Sequence, residues 1–147
     1  MKQEIIDDVR SLILDSPIVY VSSVNQEGFP NTKAMMNLKR DGIKTHYFST
    51  NYATARIQQF MNNPKACIYF CKPGDFKGFM LVGTMEVMAD RYHKELLWSD
   101  GCEIYYPKGV EDEDYAVLRF TAEWGNYYHG LQNSTYTVEE LAEYIAL

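Results

Sequence analysis

The chain contains few cysteines and no long apolar run. Its 147 residues include only three cysteines, and no two of them form a CxxC pair. Such a small, odd number argues against a disulfide scaffold and fits a reducing compartment. No apolar stretch approaches the ~18 residues that a membrane-spanning helix needs. Residues 1–10 are polar and carry acids, unlike a secretory signal, so the sequence predicts a cytoplasmic protein without a membrane segment.

Positive charge is also scarce. The formal net charge is -6, with 14 Lys and Arg against 20 Asp and Glu. Because phosphate backbones select basic surfaces, this balance argues against nucleic acid as a partner. The three histidines, His46, His93 and His129, lack the spacing of a metal site, and we predict none. The length suits a single domain over residues 1–147.

Acidic residues are missing from one stretch of this acidic chain. None occurs between Asp41 and Asp75, whereas that window contains Lys44, Arg56, Lys65 and Lys72. Near its start, residues 48–56 read Phe-Ser-Thr-Asn-Tyr-Ala-Thr-Ala-Arg, which is typical of a strand end, a hydroxyl-rich turn and a helix start. A local positive window in an acidic protein indicates a small anionic ligand, most simply a phosphate.

The helix start in this window supplies the donors that such an anion would need. A helix N-terminus has unpaired N–H groups and a partial positive charge, so it attracts anions. Hydroxyls and a guanidinium surround it, and they belong to Ser49, Thr50, Thr54 and Arg56. The alternative is that Ser49 or Asn51 merely caps the helix and that Arg56 is a solvated surface residue.

Residue periodicity predicts a mainly β fold. Predicted helices cover residues 2–15, 52–62 and 91–98, and a capping box at Thr137 and Glu140 opens a last helix. Predicted strands cover residues 18–24, 31–38, 43–49, 66–71, 79–89, 115–121 and, as a short seventh, 124–129. Gly83 predicts a bulge in its strand. The acidic run at residues 111–114 predicts a solvated loop. Strands grouped in runs favour a six-stranded antiparallel barrel with flanking helices over a parallel sheet.

Three motifs in this order resemble the pyridoxamine 5'-phosphate oxidase-like split-barrel family. The first is the stretch 48–56, followed by an apolar helix, Asn63-Pro64 and a strand. The second is Gly28-Phe29-Pro30, which leads to Lys33 and Met36. The third is Val82-Gly83-Thr84-Met85-Glu86-Val87. The family consists of flavin mononucleotide (FMN) proteins and includes many small general stress proteins, so the resemblance implies a split barrel that binds FMN.

The resemblance also implies roles for individual residues. It gives Ser49, Thr50, Thr54 and Arg56 to the FMN phosphate, with Lys33 as a second basic contact. It places Met35, Met36 and Asn37 beside the flavin ring. Because family members are homodimers with the flavin at the subunit interface, Trp124 and Tyr128 are expected from the partner chain. Both aromatics could equally be plain core or interface residues.

The sequence departs from the oxidase proper in ways that bear on activity. Ala55 stands where the oxidase has the first of two adjacent basic residues, and Gly78 stands where it has a glutamine that reaches the flavin. The basic C-terminal substrate-binding stretch is missing. We therefore expect a flavin-dependent oxidoreductase of unknown substrate rather than a pyridoxamine phosphate oxidase. The alternatives are a non-catalytic flavin-binding stress protein, or a haem- or deazaflavin-binding relative, with His129 as the candidate haem ligand.

Overall fold

One antiparallel sheet forms most of the molecule. The computed structural model describes all residues, Met1–Leu147. The strands are β1 (Ile18–Val24), β2 (Pro30–Met36), β3 (Lys39–Asp41), β4 (Thr45–Asn51), β5 (Lys65–Lys72), β6 (Lys77–Met88), β7 (Tyr115–His129) and β8 (Gln132–Thr137). Their order is β2-β1-β5-β6-β7-β4-β3, and β8 pairs with the second half of β7. The predicted mainly β split barrel is confirmed.

The helices cover the ends and faces of this sheet. They are α1 (Gln3–Asp15), α2 (Ala55–Asn62), α3 (Arg91–Leu97) and α4 (Val138–Tyr144). The predicted capping box is present, because the Thr137 hydroxyl accepts from the Glu140 N–H while the Glu140 carboxylate accepts from the Thr137 N–H. No helix combines the length and the apolar character that crossing a membrane would require.

The inner face of the curled sheet holds the core. The helical spacing of Ile5, Val9, Leu12 and Ile13 correctly predicts that they form the buried face of α1, and Ile6 is buried beside them. Alternate residues of β1, β4 and β5 point inward, as in β4, where His46, Phe48 and Thr50 are buried. The alternation follows from the two-residue repeat of a strand, and it leaves the other face of the sheet partly apolar and open.

The sheet has eight strands, where the sequence predicts a six-stranded barrel and a short seventh strand, and the differences have local reasons. The residues between the predicted strands 31–38 and 43–49 form the short edge strand β3. The strands expected at 115–121 and 124–129 form one continuous strand, β7, which pairs with β6 along most of its length. The pattern missed β8 because its sequence, Gln-Asn-Ser-Thr-Tyr-Thr, is almost wholly polar and gives no apolar alternation.

The bulge predicted at Gly83 is present. The register of β6 against β7 shifts between Val82 and Gly83. A Cβ at residue 83 would overlap the carbonyl oxygen of Thr121. Only glycine fits this close backbone approach, which lets the long strand β6 bend as the sheet curls.

Candidate functional site

The curl of the sheet produces a cavity between two strands that are not neighbours in the sheet. β2 begins the strand order and β4 lies near its other end, yet the two strands approach each other. A cavity of about 480 Å³ opens where they meet, close to the start of α2. This volume is in the range of small-molecule sites, roughly 300–1,000 Å³.

Six of the ten predicted site residues line this cavity. They come from β2, from the end of β4 and from the start of α2, and they are Met35, Met36, Ser49, Thr50, Thr54 and Arg56. Thr50 is 5% exposed on the inner face of β4, whereas Ser49 is half-buried on the opposite face. The hydroxyl-rich turn and the two methionines, which are far apart in sequence, therefore share one cavity.

The start of α2 carries two buried polar atoms without partners. Thr54 occupies the N-cap position, but its hydroxyl makes no capping hydrogen bond. Its Oγ1 and the Nε of Arg56 are buried and lack any hydrogen-bond partner. Burial alone lowers the pKa of Arg56. Because buried polar groups are almost always hydrogen-bonded, two groups without a protein partner beside one cavity suit a polar ligand there. A third such atom, Arg40 Nε, belongs to β3 and does not line the cavity.

The other four predicted residues lie elsewhere in this subunit. Lys33 is exposed on β2, opposite Val21 of β1. Asn37 donates from its amide nitrogen to the carbonyl oxygens of Ile13, at 2.7 Å, and Ser16, at 2.8 Å, and so holds the end of α1.

Both aromatic residues expected from the partner lie on the second half of β7, outside this subunit's cavity. Trp124 is 37% exposed and pairs with Val82 on one side and Thr137 on the other. The Tyr128 hydroxyl lies 2.5 Å from that of Tyr69.

Sequence reasoning missed the second wall of the cavity. Residues 97–106, which begin at the last residue of α3, face the strands across the cavity. Leu97 and Tyr106 are buried, whereas Ile104 is 83% exposed and Tyr105 is 62% exposed. Aromatic residues in a stretch without periodicity were the available signal, since an irregular surface loop is usually polar.

The acidic run at residues 111–114 predicted a solvated loop, and this prediction is wrong for Asp112 and Asp114. The Asp112 carboxylate accepts from the backbone N–H of Lys108 and of Asp114, both at 3.0 Å. The Asp114 carboxylate accepts from the Asn51 amide at 2.7 Å and from the Ala53 N–H at 2.9 Å. Asp114 therefore lies against the hydroxyl-rich turn, which the acid-free window alone did not reveal.

A second groove, of about 660 Å³, lies between the β1–β2 turn and the outward face of α2. Amide side chains dominate its lining, and its only charged residue is Glu27. Because this groove offers no cation, it suits an anionic ligand less well than the cavity beside Arg56.

The candidate haem ligand lies apart from both sites. His129 does not line either one, and its Nδ1 is 3.9 Å from the Asp8 carboxylate. Glu4 joins these two residues in a cluster whose potential ligand atoms lie within 4.8 Å of one another. However, the Asp8 carboxylate already accepts from Lys77 Nζ and from the Tyr127 hydroxyl, each at 2.6 Å. A lysine ammonium at this distance disfavours a second cation.

Comparison with known proteins places the fold in a family. The family model for pyridoxamine 5'-phosphate oxidase matches residues 5–129. A Clostridium acetobutylicum protein, described as related to general stress protein 26 of Bacillus subtilis and of the pyridoxinephosphate oxidase family, is 46% identical. Its TM-score is 0.86, and the match covers 96% of this chain and 99% of that one.

More distant structures share the fold alone. General stress protein 26 from Bacillus anthracis str. Sterne is 16% identical, with a TM-score of 0.73 over 89% of this chain and 96% of that one. A heme binding protein from Mycobacterium smegmatis is 14% identical, with a TM-score of 0.75 over 99% of this chain and 63% of that one. No protein with a curated description matches the sequence. The family match spans most of the chain, which therefore belongs to the pyridoxamine 5'-phosphate oxidase family.

Proposed function

We propose that the chain binds FMN in the cavity between β2 and β4 and acts, as a homodimer, as a flavin-dependent oxidoreductase. One observation carries the proposal: Thr54 Oγ1 and Arg56 Nε are buried beside the cavity without partners. A phosphate would accept from both and would meet the positive end of α2. Charge-assisted bonds of this kind are roughly twice as strong as neutral ones.

The remaining lining suits a flat, partly apolar ring. Met35 and Met36 come from β2, and Ile104, Tyr105 and Tyr106 come from the opposite wall. Aromatic and thioether side chains pack well against planar groups and exclude water from them. Bound FMN would supply the redox chemistry, while these residues hold and orient the cofactor. The substrate is not specified by this lining.

The outer face of the sheet supports a dimer. Large apolar side chains are part-exposed there on β1, β2 and β7, with Ile18 at 39%, Tyr20 at 40%, Met36 at 56% and Trp124 at 37%. A second copy that covers this face would bury them, and it would bring Trp124 and Tyr128 of one subunit towards the other, as the resemblance implies. A stable dimer should bury at least ~1,200 Å² in total.

Light scattering tests the dimer. The expected mass with FMN bound is twice the chain mass of 17.1 kDa. A single-chain mass at micromolar concentration would refute the dimer.

The cofactor test compares two flavins that differ only in the phosphate. Purified protein is expected to give a flavin absorption spectrum, and calorimetry should give much tighter binding of FMN than of riboflavin. Loss of one charge-assisted partner typically costs ~1.5–3 kcal/mol, or about ten- to a hundredfold in affinity, and the phosphate makes more than one such contact. Equal affinities for the two flavins would refute the phosphate site, and a haem spectrum would favour the haem-binding alternative.

One observation favours a second candidate, a flavin-binding protein without turnover. The cavity lining includes no histidine, and its only carboxylate is the exposed Asp100. General acid–base chemistry most often uses a positioned histidine or carboxylate, and neither is buried here. Oxidation of NADH or NADPH by the FMN-loaded protein, followed with several electron acceptors, separates the two. Turnover above free FMN indicates an enzyme, and its absence with every acceptor favours the binding protein.

A further inference from the structure

The hydroxyl-rich turn within residues 48–56 makes several hydrogen bonds to Asp114, which lies outside this stretch. Its carboxylate accepts from the Asn51 amide at 2.7 Å and from the Ala53 N–H at 2.9 Å, and its backbone carbonyl accepts from the Tyr52 N–H at 2.7 Å. Three consecutive residues of the turn are thus bonded to one residue that lies about sixty positions further along the chain. We infer that Asp114 is a positioning residue for the anion-binding end of the cavity, an inference that rests on the proposed function.

The ligand-binding groups themselves need such a support. Thr54 Oγ1 and Arg56 Nε have no partner in the protein, so no bond of their own fixes them in place. Their positions follow from where the turn ends and α2 begins, and Thr54 is tied to the turn by one backbone bond of 3.2 Å to the Asn51 carbonyl. A helix as short as α2 is marginal without tertiary support. Fixing the turn therefore places the anion donors before the ligand arrives, which reduces the ordering cost of binding.

Asp114 is itself held firmly. Its backbone N–H donates to the Asp112 carboxylate at 3.0 Å, and the next residue, Tyr115, pairs with Asn51 in the β4–β7 ladder. Hydrogen bonds from Asn51 and from the Ala53 backbone lower the pKa of Asp114, so the carboxylate stays ionised at neutral pH. The turn is therefore anchored to the rigid end of β7.

The charge of Asp114 opposes its proposed role, and this conflict makes the inference testable. A carboxylate near an anion site repels the anion, so Asp114 can favour binding only through geometry. Asparagine at this position keeps that geometry: its carbonyl oxygen can accept from the Ala53 N–H, and its amide can donate to Asn51 once the Asn51 amide has turned over. Alanine at this position loses both bonds. The two substitutions should therefore change FMN affinity in different ways.

The experiment measures FMN and riboflavin affinity by calorimetry for the wild type, Asp114→Ala, Asp114→Asn and Glu113→Ala. Asp114→Ala should weaken FMN by about tenfold, since it removes two hydrogen bonds that organise the donors, and should leave riboflavin affinity unchanged. Asp114→Asn should bind FMN as tightly as the wild type, or more tightly. Glu113 is exposed and makes no side-chain hydrogen bond, so Glu113→Ala is the matched control for loss of one negative charge.

A ligand-free measurement accompanies the binding data. Amide hydrogen exchange at Ala53 should be faster in Asp114→Ala than in the wild type, and unchanged in Asp114→Asn. If the wild type binds FMN and Asp114→Ala binds it equally well, the inference is overturned and the proposed function stands. An equal loss of FMN and riboflavin affinity would also overturn it, because that result indicates general damage to the fold. Failure of the wild type to bind either FMN or inorganic phosphate overturns the proposed function itself.

Discussion

The hydroxyl groups of Tyr69 and Tyr128 lie 2.5 Å apart, above Gly78 on the strand between them. A Cβ on Gly78 would overlap the Tyr69 hydroxyl and would lie 2.7 Å from Tyr128 Cε1. The small residue at this position is therefore what lets two tyrosines meet across three strands.

Removing one hydroxyl should change the titration of the other. Burial, followed by the hydrogen bond with Tyr128, raises the pKa of Tyr69 above its ordinary value. Tyr128→Phe should lower the pKa of Tyr69 and reduce the free energy of unfolding by about 1 kcal/mol. Ultraviolet titration of the phenolate, with Tyr69→Phe identifying the signal, measures the pKa. Tyr20→Phe is the control, since Tyr20 lies on the same face and makes no side-chain hydrogen bond.

Substitution of Arg56 should weaken FMN binding without unfolding the protein. Arg56→Ala removes a charge-assisted partner and should cost ~1.5–3 kcal/mol, or about ten- to a hundredfold in affinity. Arg56→Lys should recover only part of this, because an ammonium cannot reproduce the guanidinium fork. Fluorescence quenching of flavin by the ligand-free protein measures the affinity. Lys65→Ala is the matched control, because Lys65 is exposed at the start of β5. Equal binding by both alanine variants would show that Arg56 does not contact the phosphate.

The buried His46 should make stability depend on pH. Its side chain is 1% exposed, and its Nε2 lies 3.1 Å from the Ile43 carbonyl. Burial, assisted by the charge of Arg40, lowers the pKa of His46 from 6.5 to about 4. Between these values the unfolded chain binds a proton that the folded one does not. Stability is therefore complete above pH 6.5 and falls as the pH drops towards 4, by roughly 3 kcal/mol.

Urea denaturation at several pH values checks this expectation. His46→Phe should abolish the loss between pH 6.5 and 4, whereas His129→Phe, which leaves His46 in place, should retain it. The same slope in wild type and His46→Phe would show that other groups cause it.

Gly83 should be the glycine that tolerates substitution least. The Cβ of an alanine would overlap the backbone oxygen of Thr121, and backbone cannot move aside as a side chain can. Gly83→Ala should therefore lower the free energy of unfolding by ~1–3 kcal/mol. Gly74→Ala is the control, because no atom lies within 4 Å of its Cβ position and its φ is not left-handed. Equal urea midpoints for the two variants would contradict the close approach.

Local patterns predicted those parts of the fold that depend on neighbouring residues. The buried face of α1, the capping box at Thr137 and the bulge at Gly83 all follow from interactions within a few positions of each other. The polar strand β8 escaped prediction because its strand form depends on pairing with β7, and its sequence carries no apolar alternation.

The sequence by itself identified the hydroxyl-rich helix start and the family, because donor-rich turns and motif order can be read along the chain. Only the tertiary structure showed which of those donors are buried and unpaired. It also showed that Asn37 bonds to the end of α1 and that Asp114 bonds to the turn. It also brought residues 97–106 across from β2 and β4. The physical reason is that the cavity walls, and Asp114 with the turn it bonds, come from segments about sixty residues apart. These segments meet only once the sheet has curled.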